Sequence, residues 1–293
     1  MKKYNLVHNL LANVSKTTAI ALVCISSSVF AQEDMQSGVS IDPVNNPICA
    51  KDSPKIDLGR SLEWQRHSAE RKAISNLTYS SAKQYIKSWL KDPENKNDAK
   101  INGWGVILDV DETTLDNSWY LEECKYVVAN ENAFSQYVVI PAKSTAIPGA
   151  KEFTNWVAKN GGYVSIVTNR DGSYNNDNSV MQATEKNLRD AGIYFDQIIL
   201  ANNGKLSTTA RDKNPRFQAV KSGIYDDLII RSNTLPKHKV IAYFGDNIQD
   251  FPNLNQANLR GVDGDNAVFS KFGKGYFILP NSTYGSWVGN SYK

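Results

Sequence analysis

The feature that most constrains the fold is a series of five short apolar runs, separated by segments with helical spacing. Each run has four or five residues, a length typical of strands buried in a parallel sheet. The runs are Trp104–Leu108, Tyr163–Val167, Gln197–Leu200, Val240–Phe244 and Tyr276–Leu279. The segments between them predict helices near 149–159, 178–191 and 214–222. This alternation indicates an α/β fold with a parallel sheet, in which ligands bind beyond the carboxyl ends of the strands.

The chain before the first run is predicted to contain an arm, a helix and a linker. Residues 32–60 are polar and contain proline, which favours an extended arm. Apolar residues recur at helical spacing over 61–91, and Pro93 ends that pattern. The segment Glu94–Lys100 is then predicted to be a polar linker.

The first 31 residues have the features of a secretory signal peptide. Their formal charges are three lysines, and an apolar run follows at Thr17–Phe30. Val29 and Ala31 are the small residues expected just before a cleavage site. The run is short and rich in serine for a membrane span, so we expect cleavage and export rather than an uncleaved anchor.

The net charge does not indicate a polyanionic partner. The whole chain has 33 basic and 30 acidic residues, a net charge of +3. Removal of the leader with its three lysines leaves 30 of each, so the mature chain is neutral. A nucleic-acid polymer or an anionic membrane surface is therefore not an expected partner.

The cysteines leave one question open. Cys24 lies in the leader, and Val23 before it is not the small residue that a lipid-attachment site requires, so no stable membrane anchor is expected. Cys49 and Cys124 remain in the mature chain. In an oxidising compartment they form either one disulfide or two separate thiols, and the sequence is compatible with both.

Two carboxylates leave the first predicted strand together, in the segment Asp109–Thr113. This spacing suits phosphoryl transfer, in which Asp109 attacks phosphorus and Asp111 protonates the leaving oxygen. A Mg²⁺ ion would neutralise Asp109 and the phosphate oxygens. A calcium loop starting at Asp109 is excluded, because Tyr120 stands where a bidentate glutamate is needed. Solvated carboxylates in a loop are the alternative.

Other polar residues follow the later strands. Thr168 and Asn169 end the second run, where a hydroxyl and backbone N–H groups can hold a phosphate oxygen. Asp246 ends the fourth run, and Asp250 lies one helical turn further on, so both can contribute to a magnesium shell. Lys213 can reach the phosphate and the Asp109 carboxylate. Each motif alone is also compatible with an ordinary turn or helix start.

Taken together, the motifs resemble the haloacid dehalogenase (HAD) superfamily, and more narrowly the class C nonspecific acid phosphatases and 5'-nucleotidases of bacteria. Val110, Thr114 and Ile248 depart slightly from the usual choices of that family. The matching segments are Ile107–Tyr120, Ile241–Phe251, Lys213 with Arg216, Trp64–Tyr79, Pro148–Ala150 and Leu279–Trp287.

The resemblance implies a fold and a set of roles. The fold would be a HAD-like Rossmannoid parallel sheet flanked by helices, within one domain at 61–293. Elements at 61–91 and 118–147 would form a small, mainly helical cap. Asp109 would be the nucleophile, and Asp111 the acid and base. The other implied roles are metal binding by Asp109, the Asp111 backbone carbonyl, Asp246 and Asp250, and phosphate binding by Thr168, Asn169 and Lys213.

The resemblance also implies small phosphomonoesters such as nucleoside monophosphates as substrates. Trp119, Tyr120 and Tyr284 would then stack on a base, although aromatic residues of this kind also fill protein cores. His67 has no partner motif and is interpreted as a surface or packing residue.

The sequence therefore predicts an exported, periplasmic or secreted, Mg²⁺-dependent acid phosphatase that acts through an aspartyl-phosphate. Activity at acid pH is expected because Asp111 must carry a proton to serve the leaving group. Two alternatives stay open: a ligand-binding protein on the same scaffold, and phosphotransfer to alcohols.

Overall fold

The computed structural model describes residues 59–124 and 130–290. The predicted signal peptide at 1–31, the predicted arm up to residue 58, and Cys49 lie outside these residues, as does the side chain of Cys124. The two alternatives for these cysteines, one disulfide or two separate thiols, therefore both stay open. None of the helices in the described ranges combines the length and the apolar character needed to cross a membrane.

The predicted N-terminal helix is present as two helices. They are α1 (Gly59–His67) and α2 (Ala69–Lys91). Ser68 separates them because its backbone is extended and its hydroxyl accepts a hydrogen bond from the Arg71 N–H at 3.1 Å, which makes it the N-cap of α2. His67 lies on the surface, as predicted, with its imidazole 2.5 Å from the Glu122 carboxylate.

The prediction of a linker at Glu94–Lys100 is wrong, because these residues belong to helix α3 (Pro93–Asn102). Asp92 caps this helix by accepting hydrogen bonds from the N–H groups of Glu94 and Asn95 at 3.1 and 3.0 Å. Pro93 occupies the first turn, where its missing N–H and fixed φ do no harm. The proline that ends one helical pattern thus begins the next helix.

The main sheet has five parallel strands in the order β5–β4–β1–β6–β7. All five predicted strands are confirmed, with β4 extending four residues beyond its predicted end. Their bounds are β1 (Trp104–Leu108), β4 (Tyr163–Asp171), β5 (Gln197–Ala201), β6 (Lys239–Gly245) and β7 (Tyr276–Ile278). A two-stranded antiparallel sheet joins β2 (Leu115–Asp116) to β3 (Thr145–Ala146).

Helices cover both faces of the main sheet. Val106 and Leu108 of β1 pack on one face with α2 and two helices that follow β1 in the chain, and Ile107 packs on the other face with a third helix. Both faces are buried, which explains why the strands read as continuous apolar runs. The three predicted helices are α6 (Ala150–Lys159), α7 (Ser179–Asp190) and α9 (Asn214–Ser222). The predicted α/β class is confirmed.

The insert after the first motif is mainly helical. It contains α4 (Ser118–Cys124), α5 (Glu131–Phe134) and a π-helical turn at Ser135–Val139. Helix α1 contacts α4 through an ion pair between Arg66 and Glu122 at 2.9 Å. Two further short helices are α8 (Asn203–Leu206) and α10 (Gln256–Leu259).

Candidate active site

The carboxyl ends of β1, β4 and β6 bring the predicted site residues together. β1 lies between the other two, with chain crossovers on both sides, which is the switch point where such sheets bind ligands. Asp109 follows β1, and its N–H is bonded to Phe244 of β6 at 3.0 Å. Thr168 lies in β4, and Asp246 directly follows β6. Residues more than a hundred positions apart therefore share one small region.

Asp109 is buried and paired with a buried lysine. The Lys213 Nζ lies 2.5 Å from Asp109 Oδ1 and 2.7 Å from Asp250 Oδ1, so one ammonium group bridges two carboxylates. Burial raises the pKa of Asp109 to about 7, although Lys213 opposes the shift. Burial lowers the pKa of Lys213, but the charges of Asp109 and Asp250 outweigh it and the net shift is upward. Lys213 therefore stays charged beside the predicted nucleophile.

Three carboxylates fit a divalent cation. Asp109, Asp246 and Asp250 each place an oxygen within 4.8 Å of the others. Within the described ranges, the hydrogen bonds of Asp109 and Asp246 are made through Oδ1 and Oδ2 respectively, so the second oxygen of each keeps its lone pairs for a metal ion. Burial and the charges of Asp250 and Asp109 raise the pKa of Asp246 well above its ordinary value. The single positive charge of Lys213 does not balance three carboxylates when these are ionised. The remaining negative charge and the oxygen ligands favour binding of Mg²⁺.

Asp250 is placed differently from the other two. Its Oδ1 contacts Lys213, and its Oδ2 accepts the Asn247 N–H at 3.0 Å in a capping box. Both oxygens are therefore already occupied. This placement favours an indirect contact between Asp250 and a metal ion, through water or a neighbouring group, rather than direct ligation.

A tight turn fixes the backbone of the first motif, Asp109–Thr113. The N–H groups of Thr113, Thr114 and Leu115 all bond to the Val110 carbonyl, at 3.3, 2.9 and 2.9 Å. Glu112 takes the positive φ of 54° that this turn requires, an unusual conformation for a residue other than glycine. Its side chain is buried, and burial raises its pKa well above the ordinary value.

Asp111 is held by an arginine that sequence reasoning left without a role. Arg170 approaches Asp111 Oδ1 with Nη2 at 2.7 Å and Nε at 3.0 Å, and its Nη1 donates to Thr184 at 3.1 Å. The Thr168 hydroxyl lies 3.4 Å from Asp111 Oδ2. In the sequence, the feature that links Arg170 to the site is its position directly after Thr168 and Asn169.

A second arginine holds the predicted phosphate-binding residues. Arg216 donates to Asn169 Oδ1 at 2.5 Å, to the Thr168 carbonyl, and to the Ala210 carbonyl at 3.0 Å. Because Asn169 accepts through its oxygen, its amide nitrogen is left as a donor. Arg216 stands three residues after Lys213 in the first turn of α9, so one helix start supplies both cations.

The three predicted stacking aromatics lie in different environments. Trp119 and Tyr120 are 5% and 1% exposed and pack edge to face, as core residues do. Tyr284 is half-buried. Its N–H bonds to Asn281 Oδ1 at 3.4 Å, and Asn281 donates to Asp246 at 2.8 Å. Tyr284 is therefore tied to the carboxylate cluster, whereas Trp119 and Tyr120 present little surface to a ligand.

The family is decided by a match over most of the chain. A family model described as HAD superfamily, subfamily IIIB (Acid phosphatase), matches residues 50–287. The chain belongs to this acid phosphatase family. It is therefore a phosphomonoesterase, which confirms the predicted enzyme class and sets aside the pure binding protein.

Solved structures share the fold of this acid phosphatase. The structure of the class C acid phosphatase from Bacillus anthracis is 22% identical, with a TM-score of 0.57 over 78% of this chain and 86% of that chain. The crystal structure of the same protein with tungstate bound has a TM-score of 0.58, with the same identity and coverage. At this identity the likeness supports the fold.

The acid phosphatase without metal is expected to melt at a lower temperature as the pH rises. An unperturbed aspartate has a pKa of about 3.9, whereas burial raises that of Asp109 to about 7. Between these values the folded state binds the extra proton, so this contribution to stability is present at low pH and is lost as the pH rises through about 7. The raised pKa of Asp246 acts in the same direction.

Thermal melts in EDTA from pH 5 to pH 8 measure this slope. Excess Mg²⁺ should raise the melting temperature most at pH 8, where the carboxylates are charged. Asp246→Asn should reduce that gain. A melting temperature in EDTA that rises from pH 6 to pH 8 would contradict the prediction.

Proposed function

We propose that the chain is an exported, Mg²⁺-dependent acid phosphatase that hydrolyses small phosphomonoesters, nucleoside monophosphates among them, through an aspartyl-phosphate. The observation that carries the proposal is the position of Asp109. It is buried at a strand end and bonded to Lys213 through Oδ1, and one of its oxygens lies within 4.8 Å of a carboxylate oxygen of Asp246. Elements at 61–91 and 118–147 are proposed to act as the cap of this domain.

In the first step, Asp109 Oδ2 forms a bond to phosphorus while the bond to the leaving oxygen breaks. Asp111 gives its proton to that oxygen, so the alcohol departs neutral. Lys213, Thr168 and Asn169 donate to the phosphoryl oxygens and stabilise their growing charge. When bound by Asp109, the Asp111 backbone carbonyl and Asp246, with Asp250 nearby, Mg²⁺ supplies opposing charge for the phosphoryl group.

In the second step, Asp111 has lost its proton and serves as the base. It takes a proton from a water molecule, whose oxygen attacks phosphorus and releases Asp109. Arg170 suits both steps, because it holds one oxygen of Asp111 in place as the charge of that group changes. One hard displacement is thus divided into two easier ones.

A structural neighbour binds a tetrahedral anion, which supports the proposal that the substrate carries a tetrahedral, negatively charged phosphoryl group. The Bacillus anthracis protein was crystallised with tungstate, a tetrahedral oxyanion. For nucleotides, the support is Tyr284, a half-buried residue on the loop that Asn281 anchors to Asp246. A base has a π-face that a tyrosine ring can contact.

Phosphate release from a substrate panel tests the proposal. The purified protein is assayed with nucleoside monophosphates, an aryl phosphate and an alkyl phosphate from pH 5 to pH 9, with Mg²⁺ or EDTA. We expect release that needs Mg²⁺ and is faster at acid pH. Addition of alcohols tests phosphotransfer, which would yield new phosphate esters. Release in EDTA, or a flat profile over this pH range, would contradict the metal or the acid proposal respectively.

Export is tested by measuring the mass of the protein recovered from each cell compartment, since removal of the leader shortens the chain. The first 31 residues carry the predicted leader, so protein recovered from the periplasm or medium of a bacterial host should begin at residue 32. Recovery of the full-length chain in the cytoplasm alone would contradict export.

A further inference from the structure

A chain of side-chain hydrogen bonds connects the insert to Asp111. The Trp119 indole Nε1 donates to Ser144 Oγ at 3.1 Å, and Ser144 Oγ donates to Asn117 Oδ1 at 2.6 Å. Asn117 Nδ2 then donates to Asp111 Oδ1 at 2.7 Å. Trp119, Ser144 and Asn117 are all buried. We refer to these three residues as the relay.

The direction of the relay follows from its two ends. An indole nitrogen can only donate, so Ser144 accepts from Trp119 and its own proton points to Asn117. Asp111 Oδ1 accepts from Arg170, so it is an acceptor whether or not Oδ2 carries a proton, and Asn117 turns its amide nitrogen toward Oδ1 and its oxygen toward Ser144. Reversal of the amide would set an oxygen against the carboxylate. Both ends therefore favour the same orientation of the Asn117 amide.

The middle of the relay is fastened to the core. The Ser144 N–H donates to Asn187 Oδ1 at 3.2 Å, and Asn187 Nδ2 donates to the Ser144 carbonyl at 2.7 Å. Asn187 lies on α7, the helix that also carries Thr184, the partner of Arg170. One helix therefore supports both groups that hold Asp111.

The relay and Arg170 act on the same oxygen of Asp111. Oδ1 receives Asn117 at 2.7 Å and Arg170 at 2.7 and 3.0 Å. Among the described residues, Oδ2 has only the longer contacts, to Arg170 Nε at 3.3 Å and Thr168 at 3.4 Å. Oδ2 is thus the less engaged oxygen and the one able to exchange a proton with a substrate.

We propose that Trp119, Ser144 and Asn117 are positioning residues that hold the Asp111 carboxyl group so that Oδ2 faces the leaving oxygen. The inference rests on the proposed acid role of Asp111. It gives Trp119 a function different from stacking on a base, which agrees with its burial and its bond to Ser144. Misplacement of a catalytic group by about 1 Å can cost about a hundredfold in rate.

Trp119→Phe and Ser144→Ala test the relay with three substrates. Glycerol phosphate has a poor leaving group and no ring, a nucleoside monophosphate has a poor leaving group and a base, and nitrophenyl phosphate has a good leaving group and a ring. We expect kcat/KM to fall about tenfold or more for the first two and less than about threefold for the third, because a good leaving group needs little protonation. The affinity for inorganic phosphate should not change.

Each other outcome overturns the inference. Losses on the nucleotide and on nitrophenyl phosphate, with glycerol phosphate spared, would mean that Trp119 stacks on the substrate. Equal losses of kcat/KM on all three substrates would mean a merely structural role. No loss on any of them would mean that the relay does not contribute to catalysis. Tyr137→Phe, which removes a hydroxyl from the same buried cluster, is the matched control and should leave the ratios unchanged. An inactive wild-type protein would contradict the proposed function instead.

Discussion

Asp109→Asn is expected to reduce phosphate release by about 10⁴-fold or more, the scale seen when a catalytic nucleophile is removed. An amide cannot form the acyl-phosphate bond, so the first step has no nucleophile. The loss should be the same for every leaving group, because the step is common to all substrates. Single-turnover measurements with an aryl phosphate would show it directly.

The same variant should remain folded. The raised pKa of Asp109 means that its charged form is disfavoured by burial, so a neutral amide should not lower the melting temperature at pH 8 in EDTA. Asp227→Asn replaces an exposed carboxylate and is the control for both measurements. Retained activity in Asp109→Asn would exclude the aspartyl-phosphate route.

Lys213→Met is expected to damage both stability and catalysis. The lysine is 3% exposed and bridges Asp109 and Asp250, so its removal leaves two buried carboxylates without their cation. Breaking a buried ion pair in this way costs about 3–5 kcal/mol of unfolding free energy. Loss of a donor to the phosphoryl oxygens should lower kcat by about 10²–10³-fold.

Denaturant unfolding in EDTA measures the first effect, and steady-state kinetics with Mg²⁺ measure the second. Lys221→Met, on the exposed side of the same helix, should change neither. Excess Mg²⁺ should restore part of the lost stability, because it supplies the opposing charge that the carboxylates lack. A stable, fully active Lys213→Met would show that the lysine does not serve the site.

Comparison of the two variants distinguishes electrostatic effects on stability from effects on the catalytic steps. Asp109→Asn removes the nucleophile and some repulsion, whereas Lys213→Met removes the cation and leaves the repulsion. We therefore expect Lys213→Met to lose stability and Asp109→Asn to keep it, while both lose activity. This pattern is difficult to obtain from general destabilisation, since that would lower stability and activity together.

Local sequence determined the sheet and the acidic motifs. Buried parallel strands must be apolar on both faces, so β1 and β4 were visible as continuous runs. The strand-end rule then places Asp109 and Asp246 at one edge of the sheet from the sequence alone. The linker error at Glu94–Lys100 has a local cause, because Pro93 both ends one helix and opens another, and propensity alone does not distinguish the two.

Only the tertiary structure decided which side chains hold the proposed catalytic groups. Arg170 and Asp111 are separated by 59 positions, and Lys213 and Asp109 by 104, so no local pattern links either pair. The contact between Arg216 and Asn169 likewise depends on where α9 packs against β4. The environment of Trp119 is also set by tertiary packing, because its buried indole donates to Ser144 instead of facing a ligand. Periodicity reports which face of an element is apolar, whereas the partner of a polar side chain is set by how distant elements pack.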